Sequence, residues 1–211
     1  MATIAVFGGT GRSGRHVLEQ ALAAGYDVRV LARSASGIRI RDPRLTVIEG
    51  DVLDADAVDR VVAGSSAVVS VFGQVKGSPD TLQTDGTRNI TEAMARHGVR
   101  RIISLSGGGL PDPEHDRPRA ADRVIRVLLK LLSPKVLEDA KGHLRVLKES
   151  GLDWTVVRGP RLKDTPYTGV YRVGWVGVDA STSVGRADLA EFLLHQVEDR
   201  TFLHQLPLVS Y

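Results

Sequence analysis

Glycines recur at every third position near the start of the chain, at Gly8, Gly11 and Gly14. The apolar run TIAVF at 3–7 precedes them and helix-forming residues follow, which predicts a strand, a tight turn and a helix N-terminus. Glycine lets such a turn approach a diphosphate without an intervening Cβ, and free N–H groups at the helix start bind the anion. Since the usual dinucleotide spacing is G-x-G-x-x-G, a glycine-rich turn without a ligand is the alternative. The predicted dinucleotide contacts in this turn are Gly8, Thr10, Gly11, Arg12, Ser13 and Gly14.

The second strand, predicted at 26–31, ends in residues that suit a phosphate. An acidic residue at this position bonds the ribose 2′-hydroxyl of NAD, whereas a cation pairs with the 2′-phosphate of NADP. This chain has Arg33 and Ser34 here, and a guanidinium matches phosphate oxygens well. We therefore predict that Arg33 and Ser34 favour NADP, with Arg12 meeting the same phosphate from the glycine turn. The alternative is a set of arginines that only solvate loops.

The rest of the chain alternates short apolar runs with helical patterns, which is typical of βαβ units and a parallel sheet. Further strands are predicted at 45–48, 67–71, 101–105 and 154–157, with helices at 55–62, about 80–97 and one ending near 150. This order predicts an α/β fold of the Rossmann type, a doubly wound parallel sheet in three α/β/α layers. Ligands in such sheets bind beyond the carboxyl ends of the strands. The residues found there are Asp51, Val52, Phe72, Gly73, Ser106, Gly107, Arg158 and Gly159.

Motifs spread over nearly the whole chain are similar to those of a known family. They are G-G-T-G-R-S-G at 8–14, G-D-V at 50–52, D-G-T-R-N-I at 85–90, S-G-L-D-W-T-V-V-R at 150–158, L-K-D-T-P-Y-T-G-V-Y at 162–171 and R-A-D-L-A at 186–190. With them the chain resembles the atypical short-chain dehydrogenase/reductases, in the branch of the NADPH-dependent flavin reductases (biliverdin reductase B) and the NmrA-like proteins. The resemblance implies that Asp51 and Val52 contact adenine, that Phe72 and Gly73 flank the adenosine, and that Ser106 approaches the nicotinamide. For Asp51, an N-cap of the next helix or a turn residue is an equal alternative.

One feature of short-chain dehydrogenases is missing, the catalytic Y-x-x-x-K pair, because that lysine follows none of Tyr26, Tyr167, Tyr171 and Tyr211. Ketone reduction needs a proton donor at the substrate oxygen. Hydride transfer to a flavin leaves the proton to water and asks the protein to stack and orient two rings. The sequence therefore favours an NADPH-dependent reductase of a flavin, quinone or similar planar acceptor. The alternatives are an NmrA-like dinucleotide-binding redox sensor without turnover and, third, an NAD(P)-dependent epimerase/dehydratase-like enzyme.

Five residues are candidates for the reacting end of the site. Ser106 is the candidate catalytic residue, although a serine at a strand end is more often a turn or cap residue. Gly107 and Gly108 either let the backbone approach a flat substrate ring or form a mobile loop. Arg158 either recognises an acidic acceptor or pairs with an acid of the fold. Tyr167 either stacks on the substrate or packs on the core.

Residues 108–135 are predicted to form a substrate lid that excludes water. Its first part contains Glu114, His115 and Asp116, but adjacent residues do not face one another and no further ligands recur at metal spacing, so no metal site is predicted. Its second part is an apolar helical pattern at 120–132, which belongs to the lid or forms a dimer face. On the following helix, nothing close in sequence orients His143, which makes it a minor candidate proton donor.

Composition excludes several classes of function. With 211 residues and 42% hydrophobic content the chain is sized for a single domain over 1–211. The absence of cysteine excludes disulfides and thiol chemistry. No apolar run approaches the roughly 20 residues of a membrane span, and a net charge of +3 with scattered basic residues does not favour nucleic acid. We expect a cytoplasmic monomer or homodimer whose partner is a small planar acceptor, not nucleic acid or a membrane.

Overall fold

The architecture is a mixed, mostly parallel sheet in a computed structural model that describes residues 2–211. Its strands are β1 (Thr3–Phe7), β2 (Asp27–Ala32), β3 (Leu45–Glu49), β4 (Ala67–Ser70), β5 (Arg101–Gly107), β6 (Asp153–Gly159), β7 (Arg161–Lys163), β8 (Arg172–Gly174), β9 (Ser183–Gly185) and β10 (Leu208–Ser210). The main sheet has the order β3-β2-β1-β4-β5-β6-β10-β8, and β7 pairs with β9 apart from it. The strands from β3 to β10 run parallel, and β8 is antiparallel to β10. The first six positions are the doubly wound order of dinucleotide-binding proteins, so the predicted Rossmann-type fold is confirmed.

Helices cover both faces of the sheet and make the three predicted layers. They are α1 (Arg12–Ala23), α2 (Ala55–Val62), α3 (Leu82–His97), α4 (Ala120–Leu132), α5 (Pro134–Glu149) and α6 (Arg186–His195). Helices α1 and α6 pack together over one face, and α2, α3 and α5 pack in a row over the other. Because both faces are covered, the central strands are apolar on both sides, and every residue of β4 is buried.

The two layers enclose two hydrophobic cores. Val17 and Leu18 of α1 meet Leu189 and Leu193 of α6 in one core. Val58, Ile90 and Leu147 bring α2, α3 and α5 together in the other. This packing fixes the carboxyl ends of β1, β4, β5 and β6 along one edge of the sheet, where the loops that follow them meet.

The last part of the chain completes the sheet with elements that the sequence did not predict. Strands β7 to β10 are three residues long each, too short for apolar periodicity to show. Strand β10 joins the main sheet through Leu208, which pairs with Arg158 of β6. Tyr211 then donates its hydroxyl to Asp188 of α6, 2.7 Å away, which ties the end of the chain to the layer of α1 and α6.

Candidate active site

A crevice opens where β1 and β4 lie side by side at the switch point of the sheet. It holds a cavity of about 310 Å³ at the carboxyl ends of these strands. The predicted cofactor residues that line it are Gly8, Thr10, Gly11, Arg33, Asp51, Val52, Phe72 and Gly73. The fold thus brings residues from four separate loops of the sequence to one cavity of a size suited to part of a nucleotide.

The glycine turn is shaped by two different requirements. Gly8 has φ +90°, and a Cβ there would lie 2.5 Å from the backbone nitrogen of Phe72. At Gly14 a Cβ would lie 2.0 Å from the carbonyl oxygen of Gly8, so both positions are needed to close the turn against its own backbone. Gly11 differs, because its Cβ would meet only the Gly8 oxygen at 3.2 Å. Gly11 lines the cavity, so the space that its missing side chain leaves is available to a ligand.

The start of α1 is suited to an anion. Gly11 is the N-cap of α1 and offers no side-chain acceptor, and the first turn contains no acidic residue. The first N–H groups of the helix therefore keep their capacity to bond an external acceptor, and the helix dipole favours negative charge there. Ser13 and Gly14 lie inside this first turn and are buried, so they contribute through the helix backbone and not through the cavity wall.

Arginines flank the glycine turn on two sides. Arg33 is exposed and lines the cavity directly after β2, where a 2′-phosphate is expected. Ser34 bonds Ser36, with 2.8 Å between the hydroxyl oxygens, and does not line the cavity. Arg12 donates to Asp164, which also accepts from Arg186 at 2.7 Å. The sequence placed Arg12 at the phosphate, whereas in this structure an acid from the loop after β7 holds its guanidinium.

The structure corrects one interpretation of Asp51. The N-cap of α2 is Asp54, which accepts from the backbone nitrogens of Asp56 and Ala57. Asp51 instead accepts from the backbone nitrogen of Leu53 at 2.9 Å, in a turn that precedes the helix. The helix-cap alternative for Asp51 was therefore wrong, and its turn role holds while its carboxylate lines the cavity.

Val52 and Phe72 form an apolar wall of the same cavity, and a glycine of α3 makes this possible. A Cβ at Gly86 would lie 2.9 Å from both the Phe72 ring and a Val52 methyl group. Asn89 of the same helix donates to the Val52 carbonyl oxygen at 3.0 Å. Gly86 and Asn89 belong to the D-G-T-R-N-I motif at 85–90, so that motif positions this apolar wall from behind.

A second, larger cavity of about 630 Å³ lies next to the first, beyond the ends of β5 and β6. The two are neighbours, because the consecutive residues Leu82 and Gln83 at the start of α3 line the first and the second respectively. Gly107 and Gly108 line the second cavity, as predicted for the substrate side. A Cβ at Gly107 would meet nothing within 4 Å, so this backbone is open to a flat ligand. Its apolar lining includes Leu110, Ile125, Val136, Leu137, Ala140, Pro160, Val176, Ala180 and Leu208.

Ser106, the candidate catalytic residue, lies directly before Gly107 and is buried. Its hydroxyl has no hydrogen-bond partner among the described residues, and it lines neither cavity. Ser104, two residues earlier on the same face of β5, bonds the Nε2 atom of His143 at 2.8 Å. Burial lowers the pKa of His143 to about 4, so this imidazole is neutral at pH 7. His143 is thus part of a buried pair, whereas the Ser106 hydroxyl is left without a partner.

Arg158 was predicted to contact substrate, and the structure contradicts this. Its side chain is fully buried, and it donates two hydrogen bonds to the carboxylate of Asp116, each 2.9 Å long. It also donates to the carbonyl oxygens of Leu110 and Leu206. Of the two alternatives, the one in which Arg158 pairs with an acid of the fold is correct, because the guanidinium is already bonded and cannot be reached by a ligand.

Tyr167 also lies away from the position that the sequence assigned to it. It lines neither cavity, it is exposed, and its hydroxyl donates to Glu191 of α6 at 2.9 Å. The stretch at 162–171 folds over α6, where Asp188 accepts from the backbone nitrogens of Thr168 and Gly169. Tyr167 is therefore a surface residue of this loop and not a wall of the substrate cavity.

The predicted lid region over 108–135 has two differently built parts. The first is fixed to the body: Asp116 holds Arg158, His115 bonds Asp112 and stacks on Trp175 with 5.0 Å between ring centroids, and Arg117 donates its backbone nitrogen to Val176. The acidic turn that first suggested a metal cluster thus serves these contacts. The second part is α4, which contributes Ile125 to the cavity wall.

Several lining residues were missed by sequence reasoning. The loop after β4 curves over the nucleotide cavity, and Gln74 fixes it by donating to Asp139 of α5 at 2.8 Å. Asp139 also accepts from the backbone nitrogens of Gln83 and Thr84 in the first turn of α3. The only available signal was the position of this loop after an apolar strand. The residues it contributes to the cavity include Val75, Lys76, Gly77, Ser78 and Pro79.

The doubly wound sheet, the glycine turn and the two adjoining cavities define a dinucleotide-binding protein of the Rossmann class. The chain belongs to the NAD(P)H-binding family, whose sequence profile matches residues 8–200. Its cofactor is therefore a nicotinamide dinucleotide. No helix among residues 2–211 is long and apolar enough to cross a membrane.

Known relatives agree with this assignment. The chain is 30% identical over 155 residues to the (4-alkanoyl-5-oxo-2,5-dihydrofuran-3-yl)methyl phosphate reductase of Streptomyces griseus subsp. griseus, which covers 74% of this chain and 46% of that relative. A short-chain dehydrogenase/reductase of Veillonella parvula in complex with NADP superposes with a TM-score of 0.79 at 18% identity, over 100% of this chain and 94% of that one. ChuY, an anaerobillin reductase of Escherichia coli O157:H7, gives 0.77 at 20% identity over 100% and 97%. The chain spans at most 60% of the length of the curated relatives compared.

Proposed function

We propose that this protein is an NADPH-dependent reductase of a planar acceptor such as a flavin or quinone. The observation that carries the proposal is the pair of adjoining cavities at one sheet edge, the smaller lined by a glycine turn and Arg33, the larger mostly apolar and open at Gly107. The smaller suits the adenosine part of a dinucleotide. The larger has room for a reacting ring beside it.

The preference for NADPH over NADH rests on Arg33. Its side chain is exposed at the cavity edge, directly after β2, and the position that would hold an acidic residue in an NAD site is occupied by this cation. A charge-assisted bond to a 2′-phosphate adds affinity that NADH cannot gain. The NADP complex of the Veillonella parvula protein, a structural neighbour, supports the same choice.

When bound, the reduced nicotinamide supplies a hydride. The contribution of this chain is to bind, orient and keep water away. At Gly107 nothing lies within 4 Å of the place where a Cβ would be, so two rings can lie flat against this backbone and each other, whereas at Gly108 that space is filled by the backbone of Pro160. The apolar residues of the larger cavity exclude water from the rings. Ser106 directly precedes Gly107, and its buried hydroxyl has no hydrogen-bond partner among the described residues. Because the chain lacks Y-x-x-x-K, an acceptor whose reduced form takes its proton from bulk water after it leaves the site fits better than a ketone.

The reductase names of the Streptomyces griseus enzyme and ChuY support a reductase, and the missing Y-x-x-x-K pair argues against an epimerase. The experiment is to follow NADPH consumption at about 340 nm, where reduced nicotinamide absorbs, with menadione, riboflavin, FMN and biliverdin as acceptors and NADH in parallel. Turnover with at least one acceptor and a preference for NADPH is the expected result. Tight NADPH binding without turnover would instead favour an NmrA-like redox sensor, and no binding would refute both.

A further inference from the structure

Helix α4 carries an apolar surface that the rest of the molecule does not cover. Leu131 and Leu132 are 71% and 78% exposed. Among the helices and strands described, α5 is its main neighbour. At 100° per residue the exposed apolar positions fall within one broad arc of the helix. They are Val124, Ile125, Val127, Leu128, Leu131 and Leu132.

The same segment concentrates the positive charge of the protein. Residues 119–132 contain four basic residues and one acid, a net charge of +3, which equals the formal net charge of the whole chain, because the other 24 basic and 24 acidic residues cancel. Arg119 and Arg123 are four residues apart, which puts them on one side of a helix, opposite the apolar arc, and positions 126 and 130 repeat this spacing in the sequence. The acid, Asp122, accepts from the backbone nitrogen of Arg119 and caps the helix start.

We propose that α4 binds the surface of an anionic lipid membrane. A helix with an apolar arc on one side and basic residues on the other lies in the plane of the interface, with its apolar side among the acyl chains and its cations at the headgroups. The charge pattern favours this occupant over a second copy of the chain. In a symmetric dimer through this face the basic side of the helix would point away from the partner and gain no contact, whereas anionic headgroups attract it.

This inference changes one expectation from the sequence. The expectation of no membrane partner rested on the absence of a spanning segment, and that argument does not apply to a helix that lies on the surface. The exposed arc becomes visible only in the folded chain, because an apolar helical pattern at 120–132 is equally compatible with burial in a core or under a lid.

The position of α4 also bears on the acceptor, a step that rests on the proposed function. Ile125 of α4 lines the larger cavity, as do Ser133 and Val136 directly after it. A docked α4 therefore places this cavity at the lipid surface. An apolar acceptor dissolved in the membrane, such as a quinone with a hydrocarbon tail, would then reach the cavity without crossing water.

The test is flotation of the full-length protein with vesicles of phosphatidylglycerol and phosphatidylcholine or of phosphatidylcholine alone. We expect binding to the anionic vesicles only, weakened by added salt. The double variant Leu131→Glu/Leu132→Glu should abolish flotation. Arg119→Gln/Arg123→Gln should weaken partitioning roughly thirtyfold, at about fivefold for each cation near the surface.

The matched control is Val170→Glu, which places an acid at a residue that is 75% exposed but lies outside α4, and it should float like the unchanged protein. Circular dichroism checks that each variant is folded. Binding to neither vesicle, equal binding to both, or full binding by the double leucine variant would overturn the proposal. A dimer of the unchanged protein in sedimentation, lost in the leucine variant, together with no binding to vesicles, would also overturn it. The face would then be a homodimer interface.

NADPH oxidation separates this proposal from the proposed function. With a long-chain quinone in anionic vesicles, the unchanged protein should turn over faster than the leucine variant, while both reduce water-soluble menadione equally. If the protein binds vesicles but reduces no acceptor, the reductase assignment fails and the proposal of membrane binding by α4 remains. If menadione is reduced but vesicles do not bind, the opposite holds.

Discussion

At the scale of single residues, the proposed preference for NADPH rests on Arg33. Replacing Arg33 with Asp removes the cation and places a carboxylate where the 2′-phosphate would lie. We expect NADPH affinity to fall by about 1–3 kcal/mol, while NADH affinity stays the same or rises, because the new carboxylate can accept from a 2′-hydroxyl. Fluorescence titration with both dinucleotides measures this. Arg39→Asp, an exposed arginine that does not line the cavity, is the control; equal losses for both dinucleotides would contradict the assignment.

Ser106 and Ser104 form a natural comparison, because they lie two residues apart on the same face of β5 and differ in their bonding. Ser106→Ala removes a buried hydroxyl without a partner, so the free energy of unfolding should stay unchanged or rise by up to about 1 kcal/mol. Ser104→Ala removes the bond to His143 and should lower it by about 1 kcal/mol. If Ser106 touches the reacting ring, its variant also lowers kcat more than it raises KM. An unchanged kcat would leave it a structural residue.

Residue roles were predictable from sequence where position in a motif determines them, and not where a distant partner does. Gly8 and Gly11 follow from their place after a strand. Arg158 is also at a strand end, but its partner Asp116 lies 42 residues earlier. Nothing in the local sequence around Asp116 shows that its side chain faces Arg158. Long-range ion pairs have no local pattern, so the choice between substrate and fold acid for Arg158 needed the structure.

At the scale of elements, the glycine turn contains one position suited to ligand binding, Gly11, and one required for folding, Gly8. Gly11→Val adds a side chain on the cavity side, at a backbone with φ −72° that valine accepts, so NADPH affinity should fall at least about tenfold with little change in thermal stability. Gly8→Ala should instead destabilise the fold, because its Cβ would collide with Phe72. Calorimetric titration and thermal melts distinguish the two. Ala23→Val, at the exposed far end of α1, is the control, and tight NADPH binding by Gly11→Val would place the diphosphate elsewhere.

The ion pair between Arg158 and Asp116 is a buried contact among those that attach the 108–119 loop to the sheet. Arg158→Met would leave the Asp116 carboxylate buried without its guanidinium, which should lower the free energy of unfolding by about 3–5 kcal/mol. Denaturant titration measures this, with Arg145→Met on the exposed side of α5 as the control. A loss below about 1 kcal/mol would show that water reaches the pair and that the loop is held by its other contacts.

At the scale of the whole molecule, the fold class followed from the alternation of apolar runs and helical patterns. The first six strands and the helices at 55–62 and 120–132 lie where predicted, because long buried strands and amphipathic helices have clear periods. The closing strands β7 to β10 did not show in the sequence, since three-residue strands depend on neighbours that only the tertiary structure supplies. Gly107 and Gly108, which the sequence assigned to the substrate, line the larger cavity, but its other walls come from α4, α5 and the 176–182 loop, which no motif marks.

The stability of the whole molecule should depend on pH through His143. Burial lowers its pKa in the folded protein to about 4 from 6.5, so between these values the unfolded chain binds a proton that the folded chain does not. The contribution of His143 to stability is therefore complete above pH 6.5 and is lost as the pH falls toward 4, by about 3 kcal/mol. The variant His143→Gln keeps a neutral hydrogen-bonding group and does not titrate, so its unfolding free energy should vary less over this range.

The quantity to compare is the difference in unfolding free energy between the unchanged protein and His143→Gln at each pH. Carboxylates add an acid sensitivity of their own at lower pH, and this difference removes it. Burial alone would raise the pKa of Asp116, but hydrogen bonds from Arg158 hold that pKa below its usual value, so its share is lost only below about pH 4. Urea titrations of both proteins at pH values from 7 down to about 4 measure the effect. Parallel curves for His143→Gln and the unchanged protein would mean that His143 is protonated in the folded state, and that the Ser104 pair is open to water.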